Sequence, residues 1–113
     1  MNHRDVQILR KIIQEIDIAA EMMKEKSLED FKDNEMLKRA VCMTVINIGE
    51  LIKNITDETK QKNKQVPWKA AAGFRDIAAH KYQTLKMEDV YQTVIQDFPE
   101  LRKLLLSILM EEG

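Results

Sequence analysis

Along most of this chain the apolar residues return every three or four positions with almost nothing to interrupt them, since 113 residues contain only two prolines and three glycines. From Asp5 to about Lys24, the residues Leu9, Ile12, Ile13, Ile16, Ala19, Ala20 and Met23 share one stripe of a helix with about 3.6 residues per turn. A second stripe, Leu37, Val41, Val45, Ile48, Leu51, Ile52 and Ile55, predicts one long helix from about Asn34 to Thr59. Gly49 within it costs about 1 kcal/mol relative to alanine unless close packing compensates. A last stripe runs from Val90 through Val94, Phe98, Leu101 and Leu105 to Ile108, in a segment beginning at Met87. Pro99 is expected to kink or break it, leaving a long fourth helix and a short fifth.

Between the first two helices, Ser27-Leu28-Glu29-Asp30 has the form of a capping sequence for a single turn through Phe31, and Asp33 is placed to cap the next helix. The polar run Asp57 to Gln65 ends the second helix. Val66-Pro67-Trp68 then opens a third, from about Pro67 to Lys81, because proline at a first turn gives up only an amide that would have no helical partner. Ala70, Ala71, Ala72, Gly73, Ala78 and Ala79 keep this helix narrow, so a neighbour can approach it. No repeat or low-complexity linker divides the chain. The expected fold is a single all-α domain over residues 1–113, an antiparallel up-down bundle of four main helices with a short additional C-terminal helix.

A formal net charge of −1 argues against strong sequence-independent binding to nucleic acid, which depends on many cations displacing counterions from phosphates. Any contact with RNA falls to a local patch, for which Lys62, Lys64 and Lys69, with Lys60 and Lys53 nearby, are the candidates; the plain alternative is a solvated helix end and loop. Cys42 alone can form neither an intrachain disulfide nor a cysteine-based zinc site, and its apolar surroundings suit a buried reduced thiol in a cytoplasmic protein. The polar N-terminus and the lack of an apolar run of about 18 residues point away from a signal peptide and a membrane span. Two histidines and three isolated glycines build neither a multi-histidine metal site nor a phosphate cradle, so no metal and no cofactor are expected. The methionines are expected to fill gaps in the core.

Chemistry concentrates in Arg75-Asp76-Ile77-Ala78-Ala79-His80-Lys81-Tyr82, where a guanidinium, a carboxylate, an imidazole and a phenol sit among small residues. On a helix Asp76 and His80 share a face, so the carboxylate can hold one imidazole nitrogen and leave the other for proton transfer. Arg75 and Tyr82 also share a face if the helix extends that far. Arg75 and His80 are about 140° out of phase on one helix, so a partner helix would be needed to make them converge. An ordinary Asp76–His80 pair with Tyr82 packed into the core accounts for the same residues structurally.

This stretch resembles the Arg-x4-His motif of the HEPN superfamily, and the added His-x-Tyr is similar to its HepT-type members. Ile46-Asn47-Ile48-Gly49-Glu50 looks like the Ile-Gly-Glu segment of that family's second long helix. Val66-Pro67-Trp68 is similar to its Pro-Trp approach to the motif helix, and Val90-Tyr91 with Asp97-Phe98-Pro99-Glu100-Leu101 resembles its closing helix. The resemblance covers nearly the whole chain.

It implies a metal-independent ribonuclease, the toxin of a type VII HepT/MntA-like toxin–antitoxin system, acting as a homodimer whose motif helices meet. It also implies a partner antitoxin, an MNT-type nucleotidyltransferase that transfers AMP to the motif tyrosine, here Tyr82. Attack by a ribose 2′-OH needs a base and an acid, and one chain offers one placed histidine; two copies would bring two His80 and two Arg75 to one cleft. In that arrangement Asp76 holds the imidazole, Arg75 stabilises charge on the phosphate and Lys81 contacts the RNA backbone. The competing expectations are a catalytically inactive dimer that serves as binding partner or target of the nucleotidyltransferase, and a plain helical adaptor.

Overall fold

Asn2 starts the first helix: its side chain accepts the Asp5 amide at 2.7 Å, filling one of the donors that a helix N-terminus leaves open. The computed structural model describes residues 1–73 and 82–112, and of Tyr82 and Glu112 the backbone alone. Helix α1 spans His3–Met23 and buries Leu9, Ile12, Ile16 and Ala19. Ala20, included in the stripe by its spacing, is exposed. Past its end, Glu25 takes φ 60°, the left-handed conformation that reverses a chain leaving a helix.

Helix α2 (Leu28–Asp33) has the expected capping box, in which Ser27 Oγ accepts the Asp30 amide at 3.0 Å and the Asp30 carboxylate accepts the Ser27 amide at 2.9 Å. Its Phe31 is fully buried, with its ring centroid 6.3 Å from that of Tyr91. Helix α3 (Glu35–Lys53) is capped by Asn34, whose side chain accepts the Leu37 amide at 3.0 Å. The expected cap, Asp33, belongs to the last turn of α2; Asn34 is the residue with extended backbone between the two helices.

The expected helix to Thr59 is two. Helix α3 stops at Lys53, where the Asn54 amide turns back to the Leu51 and Ile52 carbonyls, and Thr56 caps a new helix, α4 (Asp57–Lys62). The apolar stripe hid the break because Ile55 is buried although it lies between the helices. The backbone bends there because Asp5 of α1 supplies acceptors for the Thr56 amide and for two hydroxyls. After a turn, residues 68–73 are helical (α5), and the Ala71 amide pairs with the Pro67 carbonyl at 3.0 Å, so Pro67 sits at the cap, one position before the expected first turn.

Tyr82–Thr84 form a 3₁₀ turn, followed by α6 (Met87–Gln92), a π turn over Thr93–Asp97, and α7 (Phe98–Glu112). Pro99 therefore does not divide a long helix from a short fifth one. The shorter piece comes first, and the chain stays helical through the π turn, where the Phe98 amide reaches five residues back to the Thr93 carbonyl. The wider turn accommodates a ring that would crowd the preceding turn of an α-helix.

Asp5 pairs with Thr56 and Glu15 with Asn47, so α1 and α3 run antiparallel. Lys26 pairs with Tyr91 and Asp17 with Arg102, so α1 and the closing α6–α7 segment do too. The core between them holds Leu9, Ile12, Ile48, Ile52, Val90 and Leu105, each 0–1% exposed, and each such side chain contributes about 1.5–3 kcal/mol. This is an all-α bundle of the expected kind. The methionines depart from expectation: Met23 is buried, while Met36, Met43 and Met110 are 83%, 57% and 79% exposed, on the outer sides of α3 and α7. No helix among the described residues is long and apolar enough to cross a membrane.

Candidate functional site

The segment leading to Arg75 begins at the α3–α4 junction. Asp5 is fully buried, and its carboxylate accepts the Thr56 amide at 3.2 Å and the Thr56 and Thr59 hydroxyls at 2.6 Å each. Burial pushes the Asp5 carboxyl up, but the hydrogen bonds from Thr56 and Thr59 outweigh it, and the group is held below its ordinary value of 3.8. Beside it the Arg4 guanidinium donates to the Asn54 carbonyl at 3.2 Å. At the far end of α4, the Asn63 side chain donates to the Thr59 carbonyl at 2.9 Å, and the Asn63 carbonyl accepts the Trp68 indole N–H at 3.0 Å. Val66 and Trp68 are buried, so the start of α5 is held by both packing and hydrogen bonds.

Arg75, Asp76, His80 and Lys81 lie outside the described residues. Tyr82 opens the 3₁₀ turn Tyr82–Thr84, and its side chain too lies outside the description. The candidate lysines are described. Lys62, near the end of α4, is exposed and pairs with Glu58 at 3.1 Å; Lys64 is exposed in the following turn and Lys69 in the first turn of α5. Lys60 is half-buried and Lys53 exposed at the end of α3. Lys60, Lys62, Lys64 and Lys69 thus lie in or beside the segment between α4 and α5, and Lys53 lies before α4. The acids Asp57 and Glu58 in the first turn of α4 offset part of the positive charge, Glu58 by pairing with Lys62.

Between α3, α5 and α7 lies an apolar cleft of about 340 Å³, lined by Val45 and Ile48, by Pro67, Ala70 and Ala71, and by Phe98, Leu101 and Leu104. Thr93 and Asp97 of the π turn and Glu100 complete its lining. Small side chains on α5 leave this space beside the residues that continue into the motif. Cys42 is buried away from water, which pushes its thiol up to about 11 and leaves it a poor nucleophile at neutral pH. Among the described residues, no three His, Cys, Asp or Glu side chains gather as metal ligands would.

Sequence reasoning missed Asp5. An aspartate in the first turn of a helix is ordinary there, because it favours the positive end of the helix dipole, so nothing marked it as a long-range partner. The two threonines three apart in an otherwise polar run were the available signal.

Over residues 12–108 the chain matches the family described as Ribonuclease HepT-like. It is 36% identical over 104 residues to a protein of Caldanaerobacter subterraneus subsp. tengcongensis whose name assigns it provisionally as an RNase, covering 92% of this chain and 93% of that one. A protein of Methanocaldococcus jannaschii, named as a gamma-glutamylcyclotransferase and provisionally an RNase, is 35% identical over 109 residues, covering 96% of this chain and 49% of that longer one. A protein of Thermococcus cleftensis, provisionally named ribonuclease HepT, is 31% identical over 101 residues, covering 89% of this chain and 90% of that one. No solved structure matches.

Proposed function

We propose that this chain, which belongs to the HepT-like ribonuclease family, cuts RNA without a metal ion through Arg75 and His80 of two copies. The observation that carries the reading is that the family match over residues 12–108 contains Arg75, Asp76, His80 and Tyr82 in the spacing Arg-x4-His-x-Tyr. In the reaction the ribose 2′-oxygen attacks phosphorus and the 5′-oxygen leaves, forming a 2′,3′-cyclic phosphate. One His80 takes the 2′-OH proton, and the partner copy's equivalent supplies a proton to the leaving oxygen. Arg75 stabilises the negative charge that builds on the phosphate oxygens, and Asp76 fixes the imidazole tautomer. Lys81, Lys62, Lys64 and Lys69 contact the RNA backbone.

The same reading makes the protein a homodimer and the toxin of a type VII pair. Its antitoxin, an MNT-type nucleotidyltransferase, transfers AMP from ATP to the Tyr82 hydroxyl, with pyrophosphate leaving. AMP at Tyr82 adds bulk and negative charge where the RNA phosphate must sit.

The deciding experiment is RNA cleavage in EDTA by wild type, His80→Ala and Arg75→Ala, with the product ends analysed. Cutting to cyclic phosphate ends that drops about a hundredfold or more in both variants supports the reading. No cutting by folded wild-type dimer replaces it with an inactive dimer that binds a nucleotidyltransferase. A mass gain of one or more AMP in wild type and none in Tyr82→Phe checks the modification site.

A further inference from the structure

The hydrogen bonds around Asp5 form part of a longer chain. From Asp5 in the first turn of α1 they run to the Thr59 hydroxyl at 2.6 Å, from the Thr59 carbonyl to the Asn63 side chain at 2.9 Å, and from the Asn63 carbonyl to the Trp68 indole at 3.0 Å. Asp5, Thr59 and Trp68 are 0%, 4% and 8% exposed, so their polar atoms have little water to turn to if a partner is lost. The chain crosses 63 positions of sequence and ends seven residues before Arg75.

We propose that Asp5 is a positioning residue: through Thr59, Asn63 and Trp68 it sets where α5, and so the chain carrying Arg75 and His80, begins relative to α1. The assignment of what is positioned rests on the ribonuclease reading; the anchor itself does not. Three hydrogen bonds to Asp5 come from the two residues that start α4, Thr56 and Thr59. Losing the carboxylate releases the first turn of α4, and the other end of α4 holds the only tryptophan of the chain. A shift at Trp68 is handed to the residues joined to it, and misplacing catalytic groups by about 1 Å can cost about a hundredfold in rate.

Trp68 makes the test direct, because its fluorescence reports one position. Asp5→Asn, Thr59→Val and Thr59→Ser are compared with wild type by circular dichroism, Trp68 emission, acrylamide quenching, RNA affinity, and the cutting rate at saturating protein. The proposal expects Asp5→Asn and Thr59→Val to keep wild-type helicity, to show red-shifted and more quenchable Trp68 emission, and to cut about ten- to a hundredfold more slowly with RNA affinity within about twofold. Thr59→Ser, which keeps the hydroxyl, retains wild-type emission and rate. If Asp5→Asn does not fold, the contrast between Thr59→Val and Thr59→Ser decides. Folded variants with unchanged Trp68 emission overturn the anchor, and shifted emission at a wild-type cutting rate overturns the positioning role. Should wild type cut no RNA, the ribonuclease reading fails by itself, while Trp68 emission still decides the anchor.

Discussion

The two sides of α3 are built differently. Toward α1 it meets branched and long side chains, Leu9, Ile12 and Ile16, and the far end is closed by Asp5 with Thr56 and Thr59, each hydrogen-bonded. Toward α5 and α7 it meets Pro67, Ala70 and Ala71, and about 340 Å³ stays open. Side-chain size makes the difference: large apolar residues fill the space between helices, whereas alanines let helices come near without filling it. One side is therefore a platform and the other a cleft, and Ala70 and Ala71 of α5 line the cleft.

Cutting into the platform should have the largest effect. Ile12→Ala is expected to cost about 3 to 4 kcal/mol, read as a lower urea midpoint at an unchanged slope; a cost under about 1 kcal/mol would mean that the platform is as loosely packed as the cleft. Next comes Asp5→Asn, expected to cost about 2 to 3 kcal/mol at neutral pH through donors left unpaired. Because the folded state holds the Asp5 carboxyl below its ordinary 3.8, its contribution is full above that value and is lost as pH falls through the lower, folded-state one. The stability gap between wild type and Asp5→Asn should therefore narrow on acidification from about pH 4 toward pH 2, and urea titrations showing a constant gap would contradict this assignment.

The smallest effect sharpens the contrast. Ala19→Leu on the filled side, where Ala19 is fully buried, should cost about 1 to 2 kcal/mol by overpacking. Ala70→Leu, exposed at the cleft, should stay within about 0.5 kcal/mol of wild type, since leucine is nearly as good a helix former as alanine. Equal costs for the two would remove the distinction.

Much of the bundle was legible in residue order. Leu9, Ile12 and Ile16 on α1, and Val94, Leu101 and Leu105 toward the end, are buried where their spacing puts them, and Ser27 with Asp30 caps α2 as its pattern indicates. The α3–α4 break escaped because Ile55 continues the stripe whether or not the backbone does. Pro99 misled in the other direction: a π turn ahead of it keeps the chain helical. The exposed Met36, Met43 and Met110 show that an apolar side chain alone does not place a residue in the core. Arg75, His80 and Tyr82 are proposed from their spacing in the sequence, whereas Asp5 emerges only from the hydrogen bonds it makes in the fold.

What the sequence by itself determined is the all-α class, the apolar stripes of the main helices and the family, because periodicity and motif spacing are local properties of the chain. What only the tertiary structure decided is where α3 ends, how Pro99 is accommodated, which space stays open beside α5, and that Asp5 holds Thr59. Those depend on which groups meet once helices dock. A carboxylate and a hydroxyl 54 positions apart become partners only after burial removes the water that each would otherwise bind.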